Sequence, residues 1–134
     1  MKQFSYGRIE KLKSKKQIEG LFAKGKSFNV FPLRVFYNLA SAENNFPVKA
    51  AVGVSKRHFK KAVDRNRIKR LLREAYRTEK NELHVFLKNK NTNIVVFISY
   101  TDKELPEYNL VKSKVKYALQ RLVKLLNENV ITGA

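Results

Sequence analysis

The apolar residues of this chain recur in two rhythms, and the switches between them divide it into elements. After Ser14, the stretch KKQIEGLFAKG places Ile18, Leu21 and Phe22 at i, i+3 and i+4, the spacing of one helix face. Ser14 suits an N-cap and Gly25 a C-terminal stop, which predicts a short first helix. From Ser27 to Ala40 apolar and aromatic residues nearly alternate: Phe31, Leu33, Val35, Tyr37 and Leu39 share one side, and Phe36 takes the other. This predicts a strand, whole or in two pieces, with Pro32 marking a break or an edge position. Ser41 to Pro47 reads as a turn and Val48 to Ser55 as the returning strand of a hairpin. The small residues Ala50, Ala51 and Gly53 leave room for close packing on that strand.

Past the basic connection Lys56 to Lys61, helical spacing takes over from about Ala62 to at least Thr78, with Lys88 as the far limit. Ile68, Leu71, Leu72, Ala75 and Tyr76 form a stripe suited to packing on a sheet. Ile94 to Tyr100 is a nearly continuous apolar run, which predicts a central strand buried on both faces. After the polar turn TDKELPEYN, a closing helix presents Val111, Val115, Ala118, Leu119, Leu122 and Leu126 on one face, and the tail VITGA is expected to fray. No repeat or linker interrupts the 134 residues. The expectation is one domain over residues 1–134, ordered from about residue 8 to 128, of α+β class with helices sandwiched against one sheet.

Charge changes the picture from fold to partner. Lysine and arginine number 29 against 11 acids, a formal charge of +18. Cations placed beside phosphates release condensed counterions, so nucleic acid is the first candidate partner and an anionic membrane surface the second. No apolar run approaches the roughly 20 residues that span a bilayer, and the start MKQFSYGRIEKLKSKKQ lacks the apolar centre of a signal peptide, so the cytoplasm is the expected compartment. The absence of cysteine removes disulfides, thiol nucleophiles and Cys-based zinc sites, and His58 and His84 lack metal-pair spacing. The acids show no paired cluster suited to a two-metal nuclease.

The cations concentrate in AVDRNRIKRLLREAYR, Ala62 to Arg77. Asn66, Arg70, Arg73 and Arg77 share an exposed face opposite the apolar stripe, and Arg65, Arg67 and Lys69 lie around it. A charge run is most often a solvated helix face. Here only Asp64, Glu74 and Glu79 stand nearby, too few to balance it. Guanidinium forks match phosphate oxygens and stack on bases, and an Asn amide can read a sugar or a base edge.

The string Arg65-Asn66-Arg67, followed by Ile68-Lys69-Arg70-Leu71 and Arg73-Glu74 and preceded by VSKR and Ala62-Val63, resembles the signature of the bacterial ribonuclease P protein family. The opening RIEKLKSKKQIEGLFAKGKSF, the strand IVVFISY and the closing YNLVKSKVKYALQRL are similar to the family's other segments, so the resemblance spans roughly Arg8 to Leu126. It implies an α-β-β-β-α-β-α sandwich with a left-handed βαβ crossover, the ribosomal protein S5 domain 2-like fold. It also implies that Arg65, Asn66, Arg67, Lys69, Arg70 and Arg73, with Arg77 beyond them, contact the catalytic RNA subunit. A cleft between sheet and first helix, with Ile18, Phe22 and Phe36 inside and Lys56 and Arg57 at its edge, would hold the single-stranded 5′ leader of precursor tRNA. Phe22 could equally be core. The connection KRHFKK is longer than in many members and has no glycine; there His58 and Phe59 either stack on bases or Phe59 plugs the core.

The implied activity is Mg2+-dependent hydrolysis that removes the leader, with catalysis and most of the metal ligation residing in the RNA and no catalytic or metal-ligating residue in the polypeptide. The implied partners are the catalytic RNA, bound 1:1 by a monomeric protein, and precursor tRNA, with no membrane. A ribosomal or other structural RNA-binding protein is the rival reading, and a DNA-binding regulator a more distant third, since no helix-turn-helix partner or dimer surface shows.

Overall fold

In the computed structural model, residues 15–39 and 48–131 are described; Ser14, the turn from Ser41 to Pro47 and the last three residues lie outside them. The elements are α1 (Lys15–Lys24), β1 (Lys26–Val30), β2 (Leu33–Leu39), β3 (Val48–Val54), α2 (Ala62–Glu79), α3 (Asn81–Asn89), β4 (Ile94–Tyr100) and α4 (Tyr108–Ile131). With α3 continuing the arm begun by α2, the order is α-β-β-β-α-β-α, as the resemblance implied. Lys80 separates the two helices. The closing helix continues to Ile131, so Val130 and Ile131 belong to it and not to a frayed tail.

The Ser27 to Ala40 stretch is two strands that reverse on each other, not one strand. β1 and β2 are antiparallel, pairing Lys26 with Tyr37 and Val30 with Leu33, and Phe31-Pro32 makes the turn. Proline has no N–H to give a ladder, so the chain turns there. Phe31 consequently stands exposed at the turn and not beside Leu33. Leu39, expected on the same inward side, is exposed as well.

The expected hairpin between the second and third strands does not form. The sheet order is β1-β2-β4-β3: β4 inserts between them, antiparallel to β2 and parallel to β3. A parallel pair needs a long connection, and α2 with α3 supplies it. β4 is central because its apolar residues on both faces are best kept from water there.

Ile94, Val96, Ile98 and Tyr100 of β4, with Val35 and Tyr37 of β2 and Val48 and Ala50 of β3, face α2, α3 and α4. Those helices bring Ile68, Leu72, Tyr76, Leu83, Leu87, Val115 and Leu122 into one continuous core. Each such aliphatic side chain, almost wholly hidden, contributes roughly 1.5–3 kcal/mol. Among the described residues the opposite face is covered only by the ten-residue α1, through a smaller cluster built on Leu21 and Val95. That imbalance leaves part of the sheet open.

Candidate nucleic-acid interface

Alternation along the strands decides which side chains floor the open face. Arg34, Phe36 and Asn38 of β2, Val95, Phe97 and Ser99 of β4, and Lys49, Ala51 and Gly53 of β3 point away from the large core. Register sets Ser27, Phe36, Phe97 and Ala51 in one row across all four strands. Ile18 and Leu21 of α1 pack on this floor with Val95. Phe22 hangs at the rim, 52% exposed, its ring 4.9 Å from Phe36 and 5.1 Å from Phe97, both edge to face. Of its two readings, core or cleft, Phe22 takes the second: it is half in solvent and at the head of an aromatic cluster. Phe36 is half-buried under it, and the Arg34 guanidinium lies 4.9 Å from the Phe36 ring centre. Edge-on rings beside a cation form a surface on which unpaired bases can stack.

Arg34 and Phe97 were missed from sequence. Phe97 sits in a run that reads as uniformly apolar, so nothing marks which of its residues face the cleft. Gly53 explains the ring's position: a Cβ there would fall 2.4 Å from Phe97 Cζ, so the ring lies directly over the glycine. The close packing anticipated for this strand is thus supplied by its own sheet neighbour.

At the end of the sheet where Arg34, Ser99 and Gly53 align, β3 runs into the connection that carries Lys56 and Arg57, both exposed. The connection is tightly held. Phe59 is only 6% exposed and packs 6.1 Å from the Tyr100 ring, so it plugs the core, while His58 is exposed. The Arg65 guanidinium donates from Nη1 to the carbonyls of Phe59 at 2.8 Å and Lys60 at 2.9 Å. Arg65 therefore shapes the approach to α2, on the flank of the helix and half-buried.

Asn66, Arg67, Arg70 and Arg73 are exposed on the outer surface of α2, while Ile68, Leu72, Ala75 and Tyr76 are buried beneath. Lys69 is half-buried on the flank. Arg77 donates from Nε to Glu74 Oε2 at 3.0 Å, a bond that holds the Glu74 carboxyl below the usual carboxylate range and neutralises part of the charge at this end. The cation density is thus greatest over the first three turns. No side chain caps the α2 N-terminus, and Asp64 alone offsets its dipole. Basic side chains and open N–H groups together favour anions there.

A mixed sheet carrying an acid-poor arginine helix on one layer and an open aromatic cleft on the other is the build of a small RNA-binding α+β sandwich. Residues 7–123 match the family model Ribonuclease P. The chain is 35% identical over 119 residues to the ribonuclease P protein component of Porphyromonas gingivalis, covering 89% of this chain and 87% of that one. It is 30% identical over 128 residues to that of Chlorobium phaeobacteroides, with 88% of each covered. Among solved structures, the RNase P protein of Staphylococcus aureus shares the fold with a TM-score of 0.67 at 17% identity, over 84% of this chain and 94% of that one. That of Thermotoga maritima does so at 0.62 and 21%, over 84% and 96%. The chain belongs to the ribonuclease P protein family and is the protein component of that ribonucleoprotein endoribonuclease.

Proposed function

We propose that the outer face of α2 docks on the catalytic RNA while the cleft beneath α1 holds the 5′ leader of precursor tRNA, so that the protein promotes Mg2+-dependent removal of the leader. The observation that carries this reading is the placement of two different surfaces on opposite layers of one sheet. Asn66, Arg67, Arg70 and Arg73 suit a folded RNA backbone, which guanidinium forks clamp. Phe22, Phe36 and Phe97 suit an extended strand whose bases are free to stack. The sheet fixes the distance between them, so the leader is presented in a constant relation to the RNA that cuts beside it. This positioning lowers the entropic cost of bringing scissile bond and catalyst together.

Among the described residues no three His, Cys, Asp or Glu side chains converge as a metal site. In this reading the catalytic metal is held mainly by RNA phosphates, where it would activate the attacking water and stabilise the leaving oxygen. The protein's part is to bind, to orient and to offset phosphate repulsion with its +18 charge. No helix among the described residues is long and apolar enough to cross a membrane. The working unit is one protein on one RNA in the cytoplasm.

The test is cleavage of a leader-bearing precursor tRNA at low magnesium by a bacterial ribonuclease P RNA, with and without the protein. Correct cleavage is restored by the protein and weakened by Arg70→Ala with Arg73→Ala. Phe22→Ala with Phe36→Ala weakens binding only when a leader is present. A protein that binds the RNA yet changes neither cleavage nor leader affinity would be a structural RNA-binding protein instead.

A further inference from the structure

The cleft does not end at Phe36. In the same cross-sheet row lies Ser27 of β1, whose hydroxyl faces Arg34 Nη2 at 3.4 Å, and β1 is the edge strand among the described residues. Over that edge stands α4. Its Arg121 donates from Nη1 to the backbone carbonyl of Asn29 at 3.0 Å, and its guanidinium lies 4.9 Å from the Phe28 ring centre. A neutral carbonyl and a ring fix this cation in place without cancelling its charge. One turn back is Tyr117, 57% exposed, and three residues on is Lys124. With Gln120, Leu125 and Glu128 these residues line a shallow depression of about 410 Å³. Between Tyr108 and Asn127 the helix carries no acid, while Lys114, Lys116, Arg121 and Lys124 are all on it.

We propose that the single-stranded leader continues out of the cleft across the β1 edge and onto this face of α4, where Tyr117 stacks on a distal leader base and Arg121 and Lys124 hold its flanking phosphates. Arg34, Ser27 and Arg121 form a polar path that joins the two aromatic stations. The pairing of an exposed ring with cations that outnumber the one acid beside them, Glu128, is the composition of a strand-tracking surface that reads no sequence. The inference rests on the cleft being the leader site, and it makes leader length, beyond the reach of the cleft, a determinant of affinity.

The experiment uses holoenzyme reconstituted from this protein and a bacterial ribonuclease P RNA, with precursor tRNAs whose leaders increase in length from a few nucleotides. Affinity is expected to rise in two steps, the first as the cleft fills and the second as the leader reaches α4. Tyr117→Ala and Lys124→Ala, both at exposed positions, abolish the second step, a loss of roughly tenfold for one stacking platform, and leave short leaders unaffected. Arg121→Ala does the same, with a melting curve to separate it from loss of the Asn29 contact. A single step in the wild type, or variants that lose affinity equally at every leader length, overturns the proposal; the latter places α4 on the catalytic RNA. Phe22→Ala judges the cleft separately, because its effect is already present with the shortest leaders.

Discussion

Gly53→Ala tests whether Phe97 is part of the leader platform. The added Cβ would stand 2.4 Å from Phe97 Cζ and 2.8 Å from Cε1, whereas carbon atoms rest at about 3.5–4.0 Å. The ring must therefore move by about 1 Å or more, the difference between 2.4 Å and the lower end of that range. The Gly53 backbone does not lie in the left-handed region, so the cost lies in the ring. Overpacking a core costs about 1–3 kcal/mol, and a half-buried ring with an open cleft beside it should sit near the low end. That corresponds to a melting shift of about 4 °C. The functional effect is larger in proportion, because the displaced ring leaves its edge-to-face contacts with Phe22 and Phe36. Loss of one stacking platform weakens leader binding about tenfold. The assay is equilibrium binding of precursor tRNA and of leaderless tRNA to the reconstituted holoenzyme, beside thermal melts. Adding Phe97→Val to Gly53→Ala removes the clash and should restore the melting temperature without restoring leader affinity. If Gly53→Ala melts lower yet binds the leader as tightly as wild type, Phe97 only packs and the argument is wrong.

Leu72, fully buried between α2 and the sheet, should cost 2–5 kcal/mol on truncation to Ala, read as a lower denaturant midpoint, whereas Val63→Ala, at an exposed site, changes stability by less than about 0.5 kcal/mol. Arg65→Ala removes two hydrogen bonds to the Phe59 and Lys60 carbonyls, so it should cost about 1 kcal/mol and speed proteolysis within Ser55 to Lys61. Arg70→Ala should instead leave the melt unchanged and flatten the salt dependence of RNA binding by about 0.7–0.9 in log–log slope; a melt that drops would show Arg70 to be structural. Burial, and after it the Asp102 and Glu104 carboxylates, push the Tyr100 phenol up to about 12. The folded state thus favours the neutral phenol, so its contribution is complete below about pH 10 and fades as pH rises from there through the folded value. Tyr100→Phe should make the loss of stability across that window shallower, and an identical slope would refute the assignment.

The elements whose period and burial coincide were legible in the chain. Of the stripe Ile68, Leu71, Leu72, Ala75 and Tyr76 all but the half-buried Leu71 are buried, the stripe Val111, Val115, Ala118, Leu119, Leu122 and Leu126 is buried throughout, and the outer arginines of α2 are where helical spacing puts them. Local spacing is sufficient there because a helix satisfies its own backbone and leaves only one face to choose. The reversal at Phe31-Pro32 also had a trace, a change of phase from Phe28 and Val30 to Leu33, Val35 and Tyr37. Which strands are neighbours follows from long-range packing. Alternation says which residues share a face of a strand and nothing about what lies beside it, so the insertion of β4 between β2 and β3 was not legible. The cleft follows from that insertion. Phe97 joins Phe36 because β4 pairs with β2, Gly53 admits the ring because β4 pairs with β3, and Arg121 meets Asn29 from 92 residues away. The residues able to bind RNA are written in the chain, but their assembly into a cleft depends on contacts between distant segments that no local pattern encodes.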